Sequence, residues 1–184
     1  MGKRTLKKTK TVITRIDGRK YVEEGGSSSQ IRGTRYGFVV DLKPDDVPVE
    51  IVDNLYLGSQ DCCETSVLMK HDISDVLSVG VRPETCPGTR HKFVECTDLP
   101  ETNILEVLED CVPFIRDAIC HRRNVLVHCN AGVSRSVAVV TGFLMHAKGL
   151  TYEDAFRIVK SGRCCANPNV GFVTQLKMLN APVP

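Results

Sequence analysis

No stretch of this chain approaches the run of roughly 20 apolar residues that a membrane-spanning helix needs, so no membrane partner is expected. The amino terminus also lacks the apolar core of a secretory signal. It opens MGKRTL, with Leu6 where an acylation signal carries Ser or Thr, which argues against myristoylation. Nine cysteines stand at 62, 63, 86, 96, 111, 120, 129, 164 and 165, yet there is no C-x-x-C pair. That odd, scattered set fits neither a zinc ribbon nor a disulfide framework. Without an export signal, the cysteines read as reduced thiols of a cytoplasmic or nuclear protein, most of them small buried hydrophobes. Internal repeats are absent as well.

What is present fits one domain. The chain has 184 residues, 42% hydrophobic and 25% charged, and at such a length folding buries roughly two thirds of the unfolded surface. The net charge of +2 conceals an asymmetry: residues 1–20 hold eight Lys or Arg against Asp17 alone, so a head of +7 precedes a body of −5. A basic head on an acidic body is the pattern of a docking arm for an acidic partner, or of a solvated tail.

Thr9 to Glu23 reads TKTVITRIDGRKYVE, two β-prone stretches around Asp17-Gly18, which predicts a hairpin with a type I′ turn in segment 1–24. GGSSSQIRG follows, and its composition predicts a flexible linker over 25–44. The main domain is placed at 45–184. Val49 to Leu57 reads as a strand, and Asp61 as the cap of a short helix ending near Lys70. Ile73–Val81 and His91–Cys96 read as buried strands. Asn103 opens a helix through a capping box, with Leu105, Leu108, Val112, Ile115 and Ile119 recurring at helical spacing and Pro113 expected to kink or split it. Val125-Leu126-Val127 is apolar enough for a strand covered on both faces. Helices are expected over Ser134–Lys148, ended by Gly149, then from Thr151 to near Gly162, and last with Phe172, Leu176 and Leu179 on one face. This alternation predicts an α/β fold, a central, mostly parallel twisted sheet flanked by helices. Ligands of such sheets bind beyond the carboxyl ends of the strands.

One such end carries HCNAGVSRS, residues 128–136. The backbone N–H groups at a helix start have no partners within the helix, and Asn130, Ala131, Gly132, Val133 and Ser134 form a loop small enough for them to converge. With the helix dipole behind them they make an anion cradle. The planar fork of Arg135 suits two oxygens of a tetrahedral oxyanion. Cys129 sits in the same field, which favours the nucleophilic thiolate. Ser136 is placed to donate a hydrogen bond to the sulfur, and His128 to hold the loop through its ring. A phosphate transfer through Cys129 also needs a carboxyl group to move protons. Asp98, in CTDLPETN, is the candidate, with a plain turn residue as the alternative.

HCNAGVSRS matches the cysteine-based phosphatase signature H-C-x5-R followed by Ser or Thr. Together with VDNLYLGS, the DLPETNI loop and PNVGFVTQL, the chain resembles the atypical dual-specificity protein phosphatases, over roughly residues 49–179. The resemblance implies Cys129 as nucleophile, Arg135 as phosphate clamp and Asp98 as general acid and base. It makes the amides of Asn130 to Arg135 the cradle, Ser136 the aid to thiolate release, and Asn169 a brace beside the site. It implies phosphoprotein substrates and neither metal nor cofactor, and nucleic acid is not expected as a partner. The cradle lacks the lysines of relatives acting on inositol lipids, which argues against a lipid substrate. Two further expectations accompany it. The basic head, with Val12, Ile13 and Ile16, would dock an acidic groove on a kinase of a MAP kinase cascade, with an adaptor role as the alternative to catalysis. Cys96 would act as a redox partner of Cys129.

Overall fold

The computed structural model describes residues 45–82 and 88–179 in full, and the backbone of three segments before them. The chain divides into two compact units, residues 1–43 and 44–184.

The first unit is a three-stranded antiparallel sheet of β1 (Thr11–Thr14), β2 (Lys20–Glu24) and β3 (Ser27–Ile31), in sequence order. Val12 pairs with Val22 and Ile13 with Tyr21. The Asp17-Gly18 turn lies outside the described residues. The composition-based expectation of a linker fails over Ser27–Ile31, where Glu24 pairs with Ser27 across Gly25-Gly26. A Gly-Gly pair between two extended segments is itself a hairpin signal, and it outweighs the serine-rich composition that follows.

The second unit is built on a five-stranded sheet: β4 (Val49–Val52), β5 (Leu55–Gly58), β6 (Ile73–Val79), β7 (Arg90–Val94) and β8 (Asn124–His128), in spatial order β4-β5-β8-β6-β7. Four strands run parallel, and β4 is an antiparallel edge. The single strand expected over Val49–Leu57 is therefore a hairpin. It breaks at Asp53-Asn54, where Asn54 takes a φ of 65°, a left-handed conformation that asparagine tolerates well.

Strand β8 explains the sheet's two-sided cover. Side chains alternate along a strand, so Val125 and Val127 join the larger core while Leu126 joins a smaller one with Cys62, Cys63, Val67, Leu68, Ile73 and Val76. The small core belongs to a 3-10 turn (Gln60–Cys63) and α1 (Thr65–Lys70). Ser59, not Asp61, caps that turn, by accepting from Asp61 N. The Asp61 carboxylate instead accepts from Asp45 N at 3.0 Å.

The larger core lies under α2 (Ile104–Cys120), α3 (Arg135–Lys148), α4 (Tyr152–Gly162) and α5 (Val170–Met178). Every residue of α3 from Arg135 to Met145 is buried, so the helix that leaves the signature loop is the hub of the domain. Helix α2 is one element despite Pro113. The proline lies on the exposed face, as does Glu109, whose carbonyl loses its intrahelical donor. Asn103 caps α2 by accepting from Leu105 N at 3.1 Å, and Thr151 caps α4 by accepting from Asp154 N at 3.2 Å. Phe172 and Leu176 are buried, but Leu179 falls beyond α5 and is 52% exposed.

Candidate active site

The loop between β8 and α3 is shaped by what its carbonyls do. Cys129 O faces His128 Nδ1 at 3.3 Å. Asn130 O accepts from Gln60 N at 3.1 Å, Val133 O from Asn167 N at 2.8 Å, and Ser134 O from Ala138 N at 2.8 Å. Between them, Ala131 O accepts from Arg163 Nη2 at 3.0 Å and Gly132 O from Arg163 Nε at 2.6 Å. All six carbonyls from Cys129 to Ser134 are thus held by groups outside the loop or at its flanks. In a planar trans peptide the N–H points opposite to the C=O. The amides of Asn130 to Arg135 are therefore turned away from those partners, to the other side of the loop.

Gly132 is required by this path. Its φ is +62°, and a Cβ there would lie 2.5 Å from Gly58 O and 2.6 Å from Arg163 Nη2.

Cys129 is buried, 3% exposed, and its Sγ accepts a hydrogen bond from Ser136 Oγ at 3.2 Å. His128 is fully buried, and burial pushes its pKa down to about 4, so its ring is neutral at pH 7. A neutral ring has one donor. Because the Cys129 carbonyl can only accept, Nδ1 carries the proton and Nε2 accepts from Ser78 Oγ, 2.5 Å away. Ser78 Oγ in turn lies 2.7 Å from His91 Nε2. The histidine is a strut between β6 and the loop.

Arg135 is 5% exposed, and its Nη1 donates to Gly80 O at 2.9 Å and Cys96 O at 3.4 Å. Its Nε lies 4.0 Å from Asp98 Oδ2. The other carboxylate oxygen, Oδ1, accepts from Ser134 Oγ at 2.6 Å and from Asn169 Nδ2 at 2.8 Å. Asp98 thus stands at the loop, with a quarter of its side chain exposed. Neighbouring Cys96 is 4% exposed, and burial pushes its thiol up to about 12, so that thiol stays protonated.

Every residue singled out from the sequence, Cys129 to Ser136, His128, Asp98 and Asn169, converges here. Three groups were not foreseen. Arg163 is 4% exposed and pairs with Asp45 while holding the two loop carbonyls. In the sequence it is one arginine after the helix stop at Gly162, which reads as solvated. Ser78 and His91 carried no local signal beyond their strands. Gln175 was visible inside PNVGFVTQL but had no assigned task. Its amide receives Ile104 N and donates to Thr102 O, each at 2.9 Å, clamping the Asp98 loop to α5.

A mostly parallel sheet thus ends in a loop on which a thiol, a guanidinium and a carboxylate are gathered, an arrangement suited to a phosphatase. The family profile of the dual specificity phosphatase catalytic domain matches residues 55–181, and the chain belongs to that family: it is a dual-specificity protein phosphatase. Dual specificity protein phosphatase 19 of Mus musculus is 37% identical over 182 residues, spanning 94% of this chain and 83% of that protein. Among solved structures, DUSP15 matches with a TM-score of 0.68 at 30% identity, covering 72% of this chain and 86% of that one. The human tyrosine phosphatase-like serine/threonine/tyrosine-interacting protein matches with a TM-score of 0.68 at 33% identity, covering 73% of this chain and 95% of that one.

Proposed function

We propose that this phosphatase works in two steps through a phosphocysteine on Cys129. The substrate's phosphate lies against the amides of Asn130 to Arg135, with Arg135 on its oxygens. The Cys129 thiolate attacks phosphorus, the P–O ester bond breaks, and protonated Asp98 gives its proton to the leaving oxygen. A water then attacks the phosphocysteine and loses its proton to the Asp98 carboxylate. The P–S bond breaks, inorganic phosphate departs, and the returning thiolate is stabilised by the Ser136 hydroxyl.

The observation that carries this reading is the set of six engaged carbonyls. Their ties fix the peptide planes so that the N–H groups on the opposite side are oriented donors for the charge that develops on the transferring phosphoryl group, at no reorganisation cost during the reaction. The test is hydrolysis of p-nitrophenyl phosphate by wild type, Cys129→Ser and Asp98→Ala. Both variants should lose at least ~100-fold in kcat, and equal rates in all three would overturn the mechanism. Asp98→Ala should also retain bound phosphoprotein for identification.

The finer setting is a cytoplasmic or nuclear protein acting in MAP kinase signalling. The eight described cysteines are free thiols, which supports a reducing compartment. The +7 head supports docking of an acidic groove on a cascade kinase. Recovery of such kinases from lysate by the full chain should exceed recovery by a chain lacking residues 1–30; equal recovery would remove the docking role.

A further inference from the structure

Directly beside the acid Asp98 and its partner Asn169 stand two exposed apolar side chains, Leu99 at 48% and Val170 at 71%. Each lies between residues that meet across the loop and α5. Asp98 Oδ1 and Asn169 Nδ2 are 2.8 Å apart. One residue further on, a Cβ at Gly171 would lie 2.0 Å from Pro100 O, so only glycine allows the two backbones to approach this closely. Gln175 fixes the same loop at Thr102 and Ile104. The pair is therefore a fixed rim of the site.

What crosses that rim follows from the chemistry, given the mechanism proposed above. The oxygen that Asp98 protonates is the ester oxygen, and the rest of the substrate hangs from it. A peptide that leaves the site past Asp98 passes over Leu99 and Val170. In an extended peptide successive side chains alternate, so residues two positions from the phosphoresidue share its face, at a distance of about 7 Å. Consecutive Cα atoms such as those of Asp98 and Leu99 are about 3.8 Å apart, so a side chain two positions away reaches the rim.

We propose that Leu99 and Val170 form an apolar subsite for the substrate side chain two positions from the phosphorylated residue, making this enzyme selective for phosphoproteins with an aliphatic residue there. An aliphatic side chain completes the cover of both rim residues, whereas a polar one of the same shape loses its water without gaining a partner.

The test uses phosphopeptides bearing Leu or its near-isostere Asn at the second position before or after the phosphoresidue, with p-nitrophenyl phosphate as the probe that carries no second residue to place on the rim. Wild type should favour Leu over Asn in kcat/KM by about 5- to 20-fold at one of the two positions. The double variant Leu99→Ser/Val170→Ser should bring that ratio to within about twofold of unity, while hydrolysing p-nitrophenyl phosphate as wild type does. Leu99→Met/Val170→Ile should keep the preference. A wild-type ratio near unity at both positions, or a ratio unchanged in the serine variant, overturns the subsite. Failure of wild type to hydrolyse any of these esters overturns the phosphatase mechanism itself, a distinguishable result.

Discussion

Arg163→Met isolates the role of the loop carbonyls. Methionine keeps the length and most of the apolar stem but removes the donors that reach Gly132 O at 2.6 Å and Ala131 O at 3.0 Å, together with the ion pair to Asp45. A hydrogen bond from a charged donor contributes about 1.5–3 kcal/mol. The two carbonyl bonds involve a side chain only 4% exposed and carry that full range. Asp45 is 42% exposed, so water takes over its carboxylate and its share falls to about 0–1 kcal/mol. Two such bonds and the exposed ion pair together put the loss of stability at about 3–7 kcal/mol, read as a shift of the urea midpoint.

The kinetic effect comes from a different link. Those two carbonyls set the direction of the Gly132 and Val133 amides, one third of the donors that the proposed mechanism places against the phosphate. Deleting one oxyanion donor outright costs about 100- to 1,000-fold in kcat. Here the donors remain but are no longer aimed, so about 10- to 100-fold is expected, with vanadate binding weakened in parallel. Arg163→Lys should fall between, since an ammonium can serve one carbonyl but not the fork. Asp45→Asn should stay within about threefold of wild type. A folded Arg163→Met enzyme, or its lysine counterpart, that binds vanadate and turns over as wild type does would refute the inference that outward carbonyl ties orient the cradle.

Three other outcomes follow from the same geometry. Ser136→Ala removes the 3.2 Å bond to Cys129 Sγ and should slow breakdown of the phosphoenzyme about 10- to 100-fold, visible as a burst of p-nitrophenol before a slow steady state; a steady state without a burst, at the wild-type rate, would contradict it. Asp75→Ala, at the opposite end of the sheet, strips a fully buried carboxylate from Arg90 and Arg123 and should lower stability by about 3 kcal/mol with kcat unchanged in the folded enzyme. His128 has a folded pKa depressed from 6.5 to about 4 by burial, so below pH 6.5 the unfolded chain takes up a proton that the native ring refuses. Stability is unaffected by this group above pH 6.5 and should decline as pH falls to 4, by on the order of 3 kcal/mol. Urea unfolding at pH 7 and 5 should show that decline in wild type and a flatter profile in His128→Asn.

The parts of the molecule legible in the sequence are those whose cause is local. The β8–α3 junction announces itself because an apolar strand, a run of small residues and a helix start stand within a dozen positions. The caps at Asn103 and Thr151 are likewise three-residue events. What escaped detection depends on distance or on one backbone angle. Val49 to Leu57 reads as one strand until Asn54 adopts its positive φ, and Ser27–Ile31 reads as linker until β2 offers it a partner. Leu179 continues the apolar spacing of α5, but the helix ends at Met178 and leaves it exposed. Arg163 shows no purpose in its own neighbourhood, because the carbonyls it holds lie 31 and 32 residues away.

That distance has a consequence for how the site is assembled. Cys129 and Asp98 come from different strand ends, and one segment after α4 ties both. Arg163 and Asn167 hold carbonyls of the cradle. Asn169 donates its backbone N–H to Ser134 Oγ and its side chain to Asp98. Gln175 then pins the far end of the acid loop to α5. The loop and Asp98 are therefore tied by Arg163, Asn167, Asn169 and Gln175 acting together, and Ser134 links them again by donating to Asp98. Since residues that share one hydrogen-bonded network couple energetically, Arg163→Met and Asn169→Ala should be non-additive in kcat. The double variant should be less impaired than the product of the single effects, because either change alone already loosens the network that both residues share.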